Sequence, residues 1–191
     1  MVVFTLDSRL LCLETKNAKL EPLVRADVEF VFDLRSSSRT QYMNQISRNI
    51  DDQYAYFDAY MRRYDVGSEI YYKIIDKSQN KRVGVVRLTE IDSSETFCWE
   101  SLVTVSGTRA VVAIDTFCLI YHAGFNILER LTCSPFVVPK ELGRVIRLHE
   151  MMGMADRVGE IGENWLYQVM QPRYKSGMER LHRMGFGIAS V

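Results

Sequence analysis

Apolar positions along this chain change period repeatedly, and each change marks a change of element. Two short apolar clusters, Val2–Leu6 and Leu10–Leu13, precede a first strand at Lys19–Val24 and suggest a preliminary hairpin or edge strand. Val28, Val31 and Phe32 then recur at helical spacing within Asp27–Leu34, and Ser36–Ser38 breaks that helix. Asp51 and Asp52 open a second helix reaching Arg63, where Tyr56, Tyr60 and Tyr64 form a stripe that suits a core better than a binding platform. From Glu69 the period becomes that of strands. Ile70–Ile75, Arg82–Leu88 and Thr96–Val105 are rich in β-branched and aromatic residues, and turn-forming residues 77–80 and 92–94 separate them. Ala110–Phe125 is apolar nearly all round, with Asp115 its only charge, which predicts a helix buried on most of its circumference. Leu131–Val138 reads as a strand ended by Pro139. In the short helix that follows, Val145, Leu148 and Met152 draw an apolar stripe carrying His149, and Gly153 is placed to stop it. A strand at Trp165–Met170 and an amphipathic helix with Tyr174, Met178 and Leu181 complete the order.

Three strands joined by short turns make an antiparallel meander. A strand, a buried helix and a strand in succession imply a crossover joining two parallel strands, here 96–105 and 130–138. The expected fold is therefore α/β (α+β): a mixed, mostly antiparallel central sheet flanked by helices. No repeat or Pro/Gly/Ser linker divides the chain, so residues 1–191 are expected to form one domain. Residues 1–17 would be an N-terminal extension and 171–191 a C-terminal helical tail.

Composition narrows the function. Apolar residues make up 47% and charged residues 25%, which suits a packed fold. The 24 Lys and Arg are balanced by 24 Asp and Glu, so the basic footprint of a nucleic-acid binder is missing. Arg173, Lys175, Arg180 and Arg183 gather near the end and read as a solvated helix face. Cys12, Cys98, Cys118 and Cys133 lack metal-ligand spacing, and reduced thiols with no metal are expected. No leader pattern is visible, and the longest apolar run, Ala110–Ala123, is short for a membrane span and carries Asp115. A cytoplasmic protein without membrane or nucleic-acid partners is the expectation.

The segment 144–154 resembles the last third of the GNAT superfamily of acyl-CoA N-acyltransferases, where the helix usually reads Ile-x-Leu-Tyr-Glu-x-x-Gly-Phe. Ile146, Leu148, Glu150 and Gly153 match, and His149 stands where the pattern has tyrosine. The element order is similar to that family's over residues 18–170. The resemblance implies that the two parallel strands splay to clasp acetyl-CoA, used as a co-substrate. Backbone at Leu102, Val103, Thr104 and Val105 would pair with its pantetheine arm, and the Val103 N–H or its neighbours would polarise the thioester. Gly107, Thr108, Arg109 and Ala110 would receive the pyrophosphate at a helix N-terminus. The usual Arg/Gln-x-x-Gly-x-Gly/Ala signature is absent, which marks a divergent branch. An asparagine that commonly touches the cofactor is replaced by Leu142, leaving Lys140 and Arg144 as substitutes.

The same resemblance implies a general base and an acid. Glu100 is the candidate base. Strand alternation would put it on one face with Cys98, Leu102 and Thr104, an apolar setting suited to proton transfer, and Glu90 is the alternative. His149 would protonate the departing thiolate, titrating near neutrality. Arg35, Arg39, Tyr42, Asn44 and Gln45 concentrate polar groups between the first two helices and would bind the acceptor. The implied activity is acetyl transfer to a primary amine in a ternary complex, with an amino sugar, nucleotide-linked or free, as acceptor. The rivals are a non-catalytic acyl-CoA sensor of the same fold and a protein or peptide N-acetyltransferase. A homodimer is compatible with a protein of this size and type.

Overall fold

In the computed structural model, which describes residues 6–36, 47 and 49–187, the apolar runs between 69 and 104 pair as the expected meander. An edge strand β1, Leu13–Glu14, joins β2, Ala18–Pro22, which pairs antiparallel with β3, Glu69–Asp76. β4, Lys81–Thr89, follows β3, and β5, Thr96–Thr104, follows β4. Beyond β5 lies β6, Thr132–Pro139, the one parallel neighbour among the described strands. β7, Asp156–Ile161, and β8, Asn164–Met170, form a hairpin whose second strand pairs with β6, giving the order β1-β2-β3-β4-β5-β6-β8-β7. The fold is the mixed, mostly antiparallel α/β sheet that the sequence pattern predicts.

Alternation along β3 shows how the layers arise. Ile70, Tyr72 and Ile74 point into the larger core, while Tyr71 joins a second core on the opposite face. That second core is closed by α1, Val28–Arg35, and α2, Ile50–Asp65, through Val28, Val31, Leu34, Phe57 and Tyr60. α2 starts where the Asn49 side chain accepts the Asp51 N–H at 3.0 Å, and Asp51–Asp52 and Arg62–Arg63 complement its dipole at the two ends. The larger core is covered by α3, Ala110–His122, α4, Gly143–Met152, and α5, Gln171–Arg183.

α3 continues through a π-helical turn, Ala123–Ile127, so the helical segment is longer than the apolar run suggested. Over Ala110–Ile127 it has the length and apolarity of a membrane span, but 72% of it is buried within the fold, as a core helix is. At its centre Asp115, 1% exposed, accepts hydrogen bonds from Thr15 Oγ1 at 2.7 Å, Asn17 Nδ2 at 2.9 Å and the Gly187 N–H at 3.2 Å. Thr15, Asn17 and Gly187 are thereby tied to the core helix. Leu10 and Leu181 are both fully buried.

The sequence pattern missed β7. Its Asp156–Ile161 segment is exposed throughout and contains Gly159, so no apolar alternation announces it. It exists because β8 offers it an edge to pair with.

Candidate active site

The expected opening is present between β5 and β6. Among the described residues the two strands register only at Thr96–Thr132 and Phe97–Cys133. Both strands carry irregularities just past this junction. On β5, Arg87 pairs with Glu100 but Val85 pairs with Val103, so two residues, Ser101 and Leu102, oppose Val86 alone. Ser101 adopts φ +58°, the left-handed conformation that lets a strand bulge and bend. On β6 the register shifts between Cys133 and Phe136. Two bulges on facing strands thus spread the sheet where a pantetheine arm would have to enter.

The bulge also corrects the face assignment around Glu100. Because one residue is added at Ser101, Leu102 packs into the larger core while Val103 turns to the core beneath α1 and α2. Glu100 therefore does not share a face with Leu102 and Thr104. Nor is its setting apolar: its Oε2 accepts from Arg87 Nη2 at 2.5 Å, and Arg87 Nη1 donates to the Tyr56 hydroxyl at 2.7 Å. Glu90, the alternative base, accepts from Thr96 Oγ1 at 2.9 Å and Ser134 Oγ at 2.6 Å, bridging β5 and β6 at the closed end of the gap.

The backbone assignment shifts by one residue as well. The Val105 N–H donates to Val83 O at 2.8 Å, so Val105 faces β4. Alternation turns Val103, paired with Val85, the same way, and it cannot direct its N–H at a thioester in the gap. The same alternation turns the Thr104 backbone away from β4.

At the end of β5 the loop turns at Gly107, φ +82°, with nothing within 4 Å of the place a Cβ would occupy. Thr108 Oγ1 donates to Val105 O at 2.9 Å, closing the turn. α3 begins at Ala110 without a side-chain cap from Arg109; the Val112 N–H is taken by Arg109 O at 3.0 Å, and the amides of Ala110 and Val111 are the ones placed for an anion. Arg109 itself is not directed to that anion site. Its guanidinium donates to both carboxylate oxygens of Asp76, at 2.9 and 2.7 Å, and this pairing holds the Asp76 carboxyl well below the usual carboxylate range. Arg144 lies exposed in the first turn of α4, whose start at Leu142 also lacks a side-chain cap.

His149 is the most enclosed of the expected site residues, at 1% exposure. It is more buried than Val145 and Leu148, the stripe that predicted its helix. Trp99 from β5, Phe136 from β6, Phe117 from α3 and Tyr167 from β8 surround the ring at centroid distances of 5.1 to 6.4 Å. Neither ring nitrogen has a hydrogen-bond partner among the described residues. Burial pushes the imidazole pKa down to about 4, so the expectation of titration near neutrality fails. At pH 7 His149 is a neutral hydrogen-bonding group.

Trp99 and Phe136 meet at 4.9 Å, across the gap between the diverging strands, and form an aromatic floor to it. Arg35, at the end of α1, lies near enough to the Tyr71 phenol to oppose the upward push of burial on its pKa. Arg39, Tyr42, Asn44 and Gln45 lie outside the described residues. The sequence reading missed Arg87, Tyr56, Trp99, Phe136 and Tyr167. Arg87 did carry a signal, being a cation on the same face as Val85 within the apolar run 83–88 of β4.

Comparison with solved structures decides the family. The nucleotide-linked sugar GNAT FdhC, in its apo form, superposes with a TM-score of 0.77 at 27% identity, covering 90% of this chain and 97% of its own. The chain is a GNAT-superfamily protein. Spermidine N-acetyltransferase from Vibrio cholerae, in complex with CoA and spermine, has the same fold: TM-score 0.67, 17% identity, 84% of this chain and 99% of its own. No family model matches the sequence, and no curated protein does. The GNAT neighbours support an acyltransferase. The parts expected to receive CoA fit that role in this member: the strands diverge, an uncapped helix start follows, and an enclosed imidazole with neither nitrogen hydrogen-bonded among the described residues flanks the gap.

Proposed function

We propose that this GNAT protein transfers an acyl group, most simply acetyl, from acyl-CoA to a primary amine on a nucleotide-linked amino sugar. The single observation that carries the transferase reading is the gap between β5 and β6, opened by a bulge on each side. The acceptor class is supported by the 27% identity to a nucleotide-linked sugar GNAT over nearly the whole of both chains. A cytoplasmic location is proposed with it, since acyl-CoA is an intracellular donor.

Acetyl-CoA, when bound, supplies an activated acyl group, and the protein's contribution is mainly to position and to move protons. The backbone of β5 beyond Phe97 would line the pantetheine arm, and Gly107, Thr108 and the first turn of α3 from Ala110 would hold the pyrophosphate. Glu100, at the mouth of the gap, would take the proton of the acceptor ammonium, directly or through water. His149, neutral at pH 7, would offer a hydrogen bond at the end of the gap instead of a proton, leaving solvent to protonate the released thiolate. Glu100→Gln is expected to lower kcat on the order of 100-fold while acetyl-CoA affinity holds. Unchanged turnover at saturating amine would remove Glu100 from the mechanism.

A binding-only role is favoured by one observation, the commitment of Arg109 to Asp76 instead of to an anion. Calorimetry with acetyl-CoA, run beside a thiol-release assay on nucleotide-linked amino sugars and polyamines, separates the two readings. Binding with no release on any amine would establish the sensor.

A further inference from the structure

Arg87 is the cation that interrupts the apolar run 83–88 of β4, and its guanidinium bridges two elements. Its side chain is 18% exposed, whereas that of Glu100 is 47% exposed. One arm donates to Glu100 Oε2 at 2.5 Å and the other to the Tyr56 hydroxyl of α2 at 2.7 Å. A second carboxylate, Glu69, lies 3.9 Å from Arg87, but Arg63 already grips it through Nε at 2.8 Å and Nη2 at 3.1 Å. Arg87 is therefore directed to Glu100. The pair also occupies the last regular rung of the β4–β5 ladder before the Ser101 bulge.

We propose that Arg87 is the positioning residue for Glu100, and that through Tyr56 it fixes α2 to the mouth of the gap between β5 and β6. This role rests on the acyltransferase reading. A glutamate side chain has three rotatable bonds, and a half-exposed one samples several rotamers unless something holds it. A planar guanidinium, itself held by a phenol, fixes one carboxylate oxygen and leaves Oε1, which takes no hydrogen bond among the described residues, for the acceptor. With the Glu100 carboxylate half in solvent the pair is screened and contributes little to stability, so the consequence falls on placement and hence on kcat.

A double-mutant cycle tests this in the intact protein. Turnover is read as CoA release with a nucleotide-linked amino sugar, and acetyl-CoA binding by calorimetry. Arg87→Gln is expected to lower kcat about tenfold or more with acetyl-CoA affinity unchanged, and Arg87→Lys to restore part of the loss. The Arg87→Gln/Glu100→Gln double variant is expected to be no slower than Glu100→Gln alone, because a positioning residue has nothing left to position. Losses that multiply in the double variant, or wild-type kcat in Arg87→Gln, would overturn the role. Full activity in Glu100→Gln would overturn it together with the base. Retained acetyl-CoA binding in that case would show that the cofactor part of the reading stands separately.

Discussion

His149 shows what a single buried polar residue costs and what it implies. Its ring sits among four aromatic side chains with neither nitrogen hydrogen-bonded among the described residues, an arrangement that disfavours the charged form. The native pKa of about 4 lies below the unfolded value near 6.5, so the unfolded chain binds the extra proton first. Stability is therefore fully present above pH 6.5 and falls as the pH drops toward 4, by on the order of 3 kcal/mol for this group. His149→Phe removes the titrating group and the unpaired nitrogens while keeping the ring's bulk. It is expected to raise the melting temperature and to flatten the pH dependence of denaturant midpoints between pH 6.5 and 4. A slope equal to that of the wild type in this window would show that other groups set it. The same variant should turn over more slowly if the imidazole meets a ligand. Tyr56 and Tyr60 teach a related lesson: they share a helical stripe, yet Tyr60 is buried with its hydroxyl accepting the Tyr71 N–H, and Tyr56 turns outward to Arg87.

Among elements, β5 decides the site. Period-two alternation located the strand within one residue of its observed end, because β-branched and aromatic side chains define it locally. Alternation also assigned its faces, and beyond Glu100 that assignment was wrong. A bulge inserts one residue into the count, and no side chain in Glu100–Val103 announces it; Ser101 is neither glycine nor asparagine. Ser101 at φ +58° gives a direct test. Ser101→Gly is expected to fold as well as the wild type or slightly better, since glycine adopts this conformation without steric cost. Ser101→Val should lose about 1–2 kcal/mol in denaturant unfolding and bind acetyl-CoA more weakly, because a β-branched residue resists that conformation and favours a regular ladder. Equal acetyl-CoA affinity in both variants would separate the bulge from the cofactor gap.

At the scale of the whole molecule, Asp115 links parts that are far apart in sequence. Read as the lone charge in an apolar helix, it is the carboxylate on which Thr15, Asn17 and Gly187 converge. Asp115→Ala would leave the Thr15 and Asn17 side chains and the Gly187 amide without their acceptor. It is expected to lower stability by about 2–4 kcal/mol, read as a shifted denaturant midpoint, and to increase hydrogen exchange at both chain ends more than in the meander. A midpoint within error of the wild type would show that water replaces the carboxylate.

Apart from the exposed β7, element identity, order and the parallel crossover were determined by the sequence alone, because burial imposes a period of 3.6 on a helix and of 2 on a strand that packs against a core. The resemblance carried by Ile146, Leu148, Glu150 and Gly153 was legible for the same reason: a short helix and its left-handed stop are local. Tertiary structure alone decided that β5 and β6 part after two rungs, that Arg87 reaches Glu100, that Arg109 is claimed by Asp76, and that His149 is sealed too deeply to titrate near neutrality. Each of these depends on which groups meet across the sheet, and contact between residues distant in the chain leaves no local periodic mark.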